Sequence, residues 1–464
     1  MMMKNRNIWN VVLIMCLMFT IFVTACSSSD NSANEPENSQ SEVTDVNNTD
    51  TDTEEAQEEE PAEPVKEFSN EPVTLKIATP WGVDYFTPRM IDPIQEEFPH
   101  ITVEHVDWNG TAENMQELSA EGVVPDIVLG YTGQAPFEEL EMVFGLDEMI
   151  QEFGVDLSGV NPQILQELRS RDKEGRLIGL PDAGDVLALY YNKEIFDLLG
   201  VNYPSDNMTW DELIDLAKQL TVKKDGVQYS GLDLGAMPTA LFNQLSMNYT
   251  DPETGEVLFD KDPKFAKMME VLKKYFSIPN IYNPEEQNKF EGKTAAMVVN
   301  WHGFLTWFGG AGEERVEYEK SMDMVPVPSF ADMPGLAPKP GAHPWIINDF
   351  SEQKEAALQV LTYVISPEYQ IQYRMRMGTP SVSLSQEEGA LFGADDPTYT
   401  DKNVTAMFQN TFAEPPARKS PWDRHVAMGE ALKKFATTDL NVAEFMRVLK
   451  EETEIKIKEE QSKQ

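Results

Sequence analysis

Between Val73 and Leu129 the chain alternates strand and helix patterns, and that order restricts the fold more than any other feature. Val73-Thr74-Leu75-Lys76-Ile77-Ala78 alternates apolar and polar side chains, the period of a half-buried strand. Ile91 to Phe98 reads as the tail of a helix, and Ile101-Thr102-Val103-Glu104-His105-Val106 as a second alternating strand. Pro125-Asp126-Ile127-Val128-Leu129 is a third, apolar enough to be buried. Strand, helix, strand, helix, strand predicts a doubly wound, parallel α/β sheet. Ligands of such sheets lie beyond the carboxyl ends of the strands. Trp81, Asp84, Trp108 and Tyr131 follow strands here and become candidates.

Further along, Leu177-Ile178-Gly179-Leu180-Pro181 and Val186-Leu187-Ala188-Leu189-Tyr190-Tyr191-Asn192-Lys193 are strand patterns. Thr209 and Glu212 form a capping box, in which two side chains satisfy backbone donors that a helix start leaves unpaired. The helix they open puts Trp210, Leu213, Ile214 and Ala217 on one face, so Trp210 is expected in the core. Lys289 to Gly303 reads as a short helix feeding a buried strand that ends on Asn300, Trp301 and His302. Gly341-Ala342-His343-Pro344-Trp345-Ile346-Ile347 is another strand. Ser351 is expected to open a helix that Pro367 ends. Trp108 and Trp307 are expected in the core or on the surface.

The first 70 residues follow a different logic. Lys4 and Arg6 precede an apolar run from Ile8 to Val23, closed by Val23-Thr24-Ala25-Cys26. A basic start, an apolar middle and small residues at a cleavage point are the anatomy of a secretory signal. The run is slightly short of the roughly 20 residues that span a bilayer. It resembles the export signal and lipobox of bacterial lipoproteins. That resemblance implies cleavage before Cys26 and lipidation of its thiol. The mature protein would be anchored at the extracellular face of the cell membrane of a Gram-positive bacterium. Cys16, the other cysteine, falls in the removed segment, which excludes an internal disulfide and cysteine chemistry. From Ser27 to Asn70, 14 acidic residues face the single Lys66. Such a stretch cannot bury a core and is expected to be a disordered linker, residues 26–70.

Residues 71–464 keep 34 basic and 65 acidic residues, a net charge of −31. That argues against nucleic acid and for a neutral or cationic ligand. Their number, 394, suits two lobes better than one core. Gly292-Lys293-Thr294 is no phosphate loop, because Gln287 stands where the first glycine belongs. Neither a nucleophile elbow nor a zinc helix is present, and no cofactor or metal is expected.

Several phrases coincide in order and spacing: Pro125-Asp126-Ile127-Val128, Gly179-Leu180-Pro181 before Leu189-Tyr190-Tyr191-Asn192-Lys193, Thr209-Trp210-Asp211-Glu212, Gly292-Lys293-Thr294-Ala295-Ala296-Met297, and the unit from Gly341 to Pro367. Together they resemble the family 1 extracellular solute-binding proteins, the maltose-binding-protein-like capture subunits of ATP-driven (ABC) importers. The resemblance implies a two-lobed α/β fold of the type II periplasmic-binding-protein kind. Each lobe would be a mainly parallel sheet flanked by helices, with ligand in the cleft between lobes. Lobe 1 would be 71–181 with 346–378, and lobe 2 would be 182–345 with 379–464. Crossings would fall near Pro181, Trp345 and Gly378-Thr379-Pro380.

A sugar pocket needs flat aromatic platforms and hydroxyl partners. By alignment with sugar-binding relatives the cleft residues would be Trp81, Asp84, Tyr131, Asp185, Trp301 and Trp422, joined by Asn300 and Trp345 at strand ends. Gly130 and Gly133 depart from the maltose-type pattern, which argues against maltodextrin. The implied protein is a monomeric substrate-binding lipoprotein, not an enzyme. It would close about a neutral carbohydrate and deliver it to the transmembrane subunits of an ABC permease. An anchored glycan hydrolase, or a sensor subunit with the same fold, is the alternative.

Overall fold

The alternation after Val73 folds as expected: β1 (Val73–Thr79), β2 (Ile101–Asp107) and β3 (Ile127–Leu129) lie side by side in parallel. β4 (Leu180–Asp185) completes a five-stranded sheet in the order β2, β1, β3, Gly341–Ile347, β4. The strand Gly341–Ile347 runs antiparallel to both neighbours. These strands belong to a computed structural model that describes residues 65–131, 133, 135–286, 288–307 and 318–462. The export signal, Cys26 and most of the acidic stretch lie outside the described residues.

A second sheet holds β5 (Leu187–Asn192) between Met297–Trp301 and Met322–Val325. Its ladders are antiparallel where a mainly parallel sheet was expected. The reason is connectivity. Only Val186 separates β4 from β5, so β5 leaves the first sheet at its ligand-facing end and enters the second from that side. It therefore runs against strands whose carboxyl ends point there. Gly341–Ile347 makes the return journey and is reversed in the first sheet for the same reason. The passage between sheets thus falls at Val186; Pro181 pairs with Pro344 and Trp345 with Leu180, both inside the first sheet.

β5 is buried on both faces, with the period of two that a strand imposes. Leu187, Leu189 and Tyr191 pack into the core of the second sheet, among Trp210, Leu213 and Met268. Ala188 and Tyr190 face the opposite side of the same sheet, where Tyr190 lies between Val298 and Met324 and 5.4 Å from Phe304. The capping box forms as read, Thr209 Oγ1 accepting from Glu212 N–H and Glu212 accepting from Thr209 N–H, and Trp210 is buried.

Three local readings change. Residues 65–70 are not free linker: Phe68 stacks on Phe153 at 4.5 Å, and Lys66 pairs with Glu152 and Glu355. No helix precedes Met297; a turn takes its place, with Lys293 at φ 61°. Ser351 donates to Asp126 and accepts from Gln353 N–H, and the helix begins only at Lys354, ending at Val364. Pro367 then opens a further helix, capped by Ser366. Among the described residues no helix is long and apolar enough to cross a membrane.

Candidate functional site

The loop after β1 builds an aromatic rim. Trp81 N–H donates to Thr79 Oγ1, and the Trp81 carbonyl accepts from His105 Nε2 at 2.9 Å, which fixes the turn and places a proton on Nε2. The Trp81 ring lies 5.5 Å from Tyr85 and 6.3 Å from Tyr131, which follows β3 after Gly130. Tyr131 continues the row to His343, 5.2 Å away. Arg89 sits over the Tyr85 ring at 3.9 Å. Tyr85 and Tyr131 are 44% and 48% exposed, so their faces are open to a ligand.

Beneath the rim the floor is polar and paired. Asp182 accepts from Arg374 at 2.6 Å and from Trp345 Nε1 at 2.8 Å. Burial pulls the Arg374 guanidinium down, but Asp182 outweighs it, and the net effect is a rise that keeps the group charged. Asp185 lies 3.3 Å from His302 Nδ1 and 3.0 Å from His343 Nε2. Burial works to raise the Asp185 carboxyl, yet the His343 hydrogen bond and the His302 charge hold it below the ordinary range. His302 is pushed down by burial, against the pull of Asp185, which favours neutral imidazole at pH 7.

Rim and floor enclose a cavity of ≈ 550 Å³, completed by Gly303, Thr306, Met377, Thr379 and Asp396. It takes in both sheets: Asp182 and Asp185 belong to β4, His302 follows Met297–Trp301, and His343 lies on the returning strand. A second cavity of ≈ 870 Å³ shares Tyr131 and His343 with it and is lined by Arg171, Lys173, Arg176, Arg418, Lys419 and Arg424, with Glu138, Glu141 and Asp172. A third, of ≈ 460 Å³, shares no residue with these two.

Trp81, Tyr131 and Asp185 meet in the first cavity. Asp84 is exposed on the next helical turn and lines none of the three cavities. Asn300 lines the separate third cavity. Trp301 and Trp422 are half-buried against the second core. Trp345 is fully buried and packs in the first core, so its place is beneath the floor and not at a ligand surface. Gly130 stands where an aromatic platform would be, and a Cβ there would lie 3.0 Å from Pro344 Cγ.

Sequence reasoning missed Asp182, His302, His343 and Arg374. His302 and His343 each carried one signal, a polar ring at a strand end. Arg374 carried none, because its partner Asp182 is distant in the chain.

The sequence profile of the bacterial extracellular solute-binding proteins matches residues 84–371. A protein of Sinorhizobium fredii named a probable amino-acid ABC transporter periplasmic-binding protein is 22% identical over 298 residues, 59% of this chain and 66% of the relative. Among solved structures, a sugar transporter from Rhizobium etli in an open conformation superposes with a TM-score of 0.62 at 20% identity, covering 82% of this chain and 99% of its own. The cyclic α-maltosyl-1,6-maltose binding protein of Arthrobacter globiformis gives 0.65 at 15% identity, covering 84% of this chain and 100% of its own. Both likenesses are of fold. The profile covers more than half of the chain, and with its phrases in order and the two-sheet cleft in place, the chain belongs to the bacterial extracellular solute-binding protein family.

Proposed function

We propose that the protein captures a carbohydrate between its lobes, closes over it and presents it unaltered to an ABC permease. The observation that carries this reading is the first cavity, whose rim is a row of aromatic rings and whose floor is a set of fixed carboxylates and imidazoles. A sugar ring offers C–H faces to the former and hydroxyl groups to the latter. Because the lining comes from both sheets, ligand contacts can favour a closed arrangement over an open one. The structures of similar fold include proteins described as a sugar transporter and a cyclic maltosyl-maltose binding protein, which supports carbohydrate over other cargo. Lipidation at Cys26, a place on the extracellular face of a Gram-positive cell and a monomeric state belong to the same proposal, with the lobe limits moved from 181/182 and 345/346 to Val186 and the stretch before Gly341.

Trp81→Ala and Tyr131→Ala are each expected to weaken saccharide binding about tenfold, the value of one lost aromatic platform, with the melting temperature of the unliganded protein nearly unchanged. Thermal-shift screening of oligosaccharides followed by calorimetric titration of both variants checks this. A panel in which amino acids bind and no saccharide does, or in which a bound glycan is cleaved, would sink the proposal.

A further inference from the structure

The strand Leu180–Asp185 departs from a regular ladder at one point. Leu180 pairs with Trp345 and Pro181 with Pro344, and the next pairs are Gly184 with Ala342 and Asp185 with Gly341. Asp182 and Ala183 therefore oppose the single residue His343, which makes a β-bulge. On an uninterrupted strand Asp182 and Asp185, three apart, would face opposite sides of the sheet. The extra residue breaks that alternation, and both carboxylates line the aromatic cavity. Groups from outside the sheet hold the bulge. The Asp182 carbonyl accepts from Gln370 Nε2 at 3.0 Å and from Arg374 Nε at 3.4 Å, and Gly184 N–H donates to the Pro380 carbonyl at 3.0 Å.

The Asp182 carboxylate is used at one oxygen only. Arg374 Nη2, at 2.6 Å, and Trp345 Nε1, at 2.8 Å, converge on Oδ1. Oδ2 accepts no hydrogen bond among the described residues, and it is not sealed off from the cavity that Asp182 lines. The residue as a whole is 6% exposed. Asp185 differs, because its two oxygens already face His302 and His343. Asp396, the third carboxylate of the lining, is only half-buried and accepts from Thr398 N–H.

We propose that Asp182 is a specificity-determining residue of the sugar site: its Oδ2 accepts from a free hydroxyl of the bound sugar, and forms of the sugar that lack this hydroxyl are rejected. The inference rests on the carbohydrate reading of this cavity. A carboxylate accepts and does not donate, so an ether or ring oxygen cannot take the place of the hydroxyl. With Oδ1 fixed by two donors, Oδ2 receives the hydroxyl without rearrangement. An analogue lacking it leaves a mostly buried acceptor unpaired, the situation in which a binding site discriminates most strongly.

Calorimetric titration of the full chain with mannobiose, cellobiose, galactobiose, melibiose and spermidine, followed by the monodeoxy derivatives of the tightest-binding disaccharide, tests the inference. Loss of one particular hydroxyl is expected to weaken binding about tenfold or more, the value of a hydrogen bond to a charged group. In Asp182→Asn, Arg374 and Trp345 hold the amide oxygen at the position of Oδ1, and an NH₂ group replaces Oδ2. This variant should bind the parent disaccharide about tenfold more weakly and no longer distinguish it from that one deoxy derivative. A merely structural role would weaken both alike. Should Asp182→Asn fail to fold because Arg374 has lost its partner, the double variant Asp182→Asn with Arg374→Gln removes both charges and carries the same expectation. Deoxy penalties that are the same with and without the Asp182 carboxylate overturn the inference and leave the carbohydrate reading standing. Spermidine binding while every disaccharide fails sinks the carbohydrate reading, and this inference with it.

Discussion

Trp345→Ala is expected to destabilise the unliganded protein by about 3–5 kcal/mol, the usual cost of deleting a fully buried Trp side chain. Trp345 has no exposed surface, packs 6.2 Å from Phe86 and donates its indole N–H to Asp182. Truncation opens a cavity in the first core and takes one of two donors from a carboxylate on the floor of the site. Trp345→Phe separates these effects: it keeps most of the volume and loses the hydrogen bond, a difference of about 1 kcal/mol. Urea unfolding of both variants measures the pair. A Trp345→Ala variant that unfolds with the wild-type midpoint while losing sugar affinity would return this residue to the ligand surface.

Glu167→Gln should cost a similar amount, about 3–5 kcal/mol, because removing one partner of a buried ion network leaves the others uncompensated. Lys339, 5% exposed, has no way to reach water without disturbing the packing around it. Burial works to raise the Glu167 carboxyl, but Lys419, Lys339 and Arg171 outweigh it and bring it down to about 2. An unfolded glutamate titrates near ~4.3. The folded value is the lower one, so this group's contribution is complete above about pH 4.3 and is lost as pH falls from there towards 2. The wild type should therefore lose stability steeply across that window, and the Gln variant should lose less because it starts without the contribution. Unfolding free energies from pH 7 down to 3 for both proteins provide the check, and parallel curves would show that Glu167 is not the group responsible.

What could be read from the sequence was local. Alternation at Val73–Thr79 and Ile101–Asp107 yields strands because one face of each is core, and the Thr209–Glu212 cap depends on residues three apart. Trp81 and Tyr131 were reachable because both follow strands of a sheet whose ligand edge is a matter of topology. Trp345 also lies on a strand, and nothing near it in sequence separates a core indole from an exposed one; Asp182, 163 positions away, does. The second cavity escaped notice because its cations come from two distant stretches, 171–176, where they alternate with acidic residues, and 418–424. Its buried carboxylate sits in a helix between them and the first core.

The double burial of β5 makes it the spine of its own half. Leu187, Leu189 and Tyr191 are anchored on one face of the second sheet, and Ala188 and Tyr190 on its other face, beside Val298, Met324 and Phe304. Neither layer can release this strand without stripping the other, so heat should melt the second sheet and both of its coverings in one step. A jaw that swings has to bend at its connections, Val186 and the stretch leading back to Gly341 among them, since the strand itself has no slack to offer.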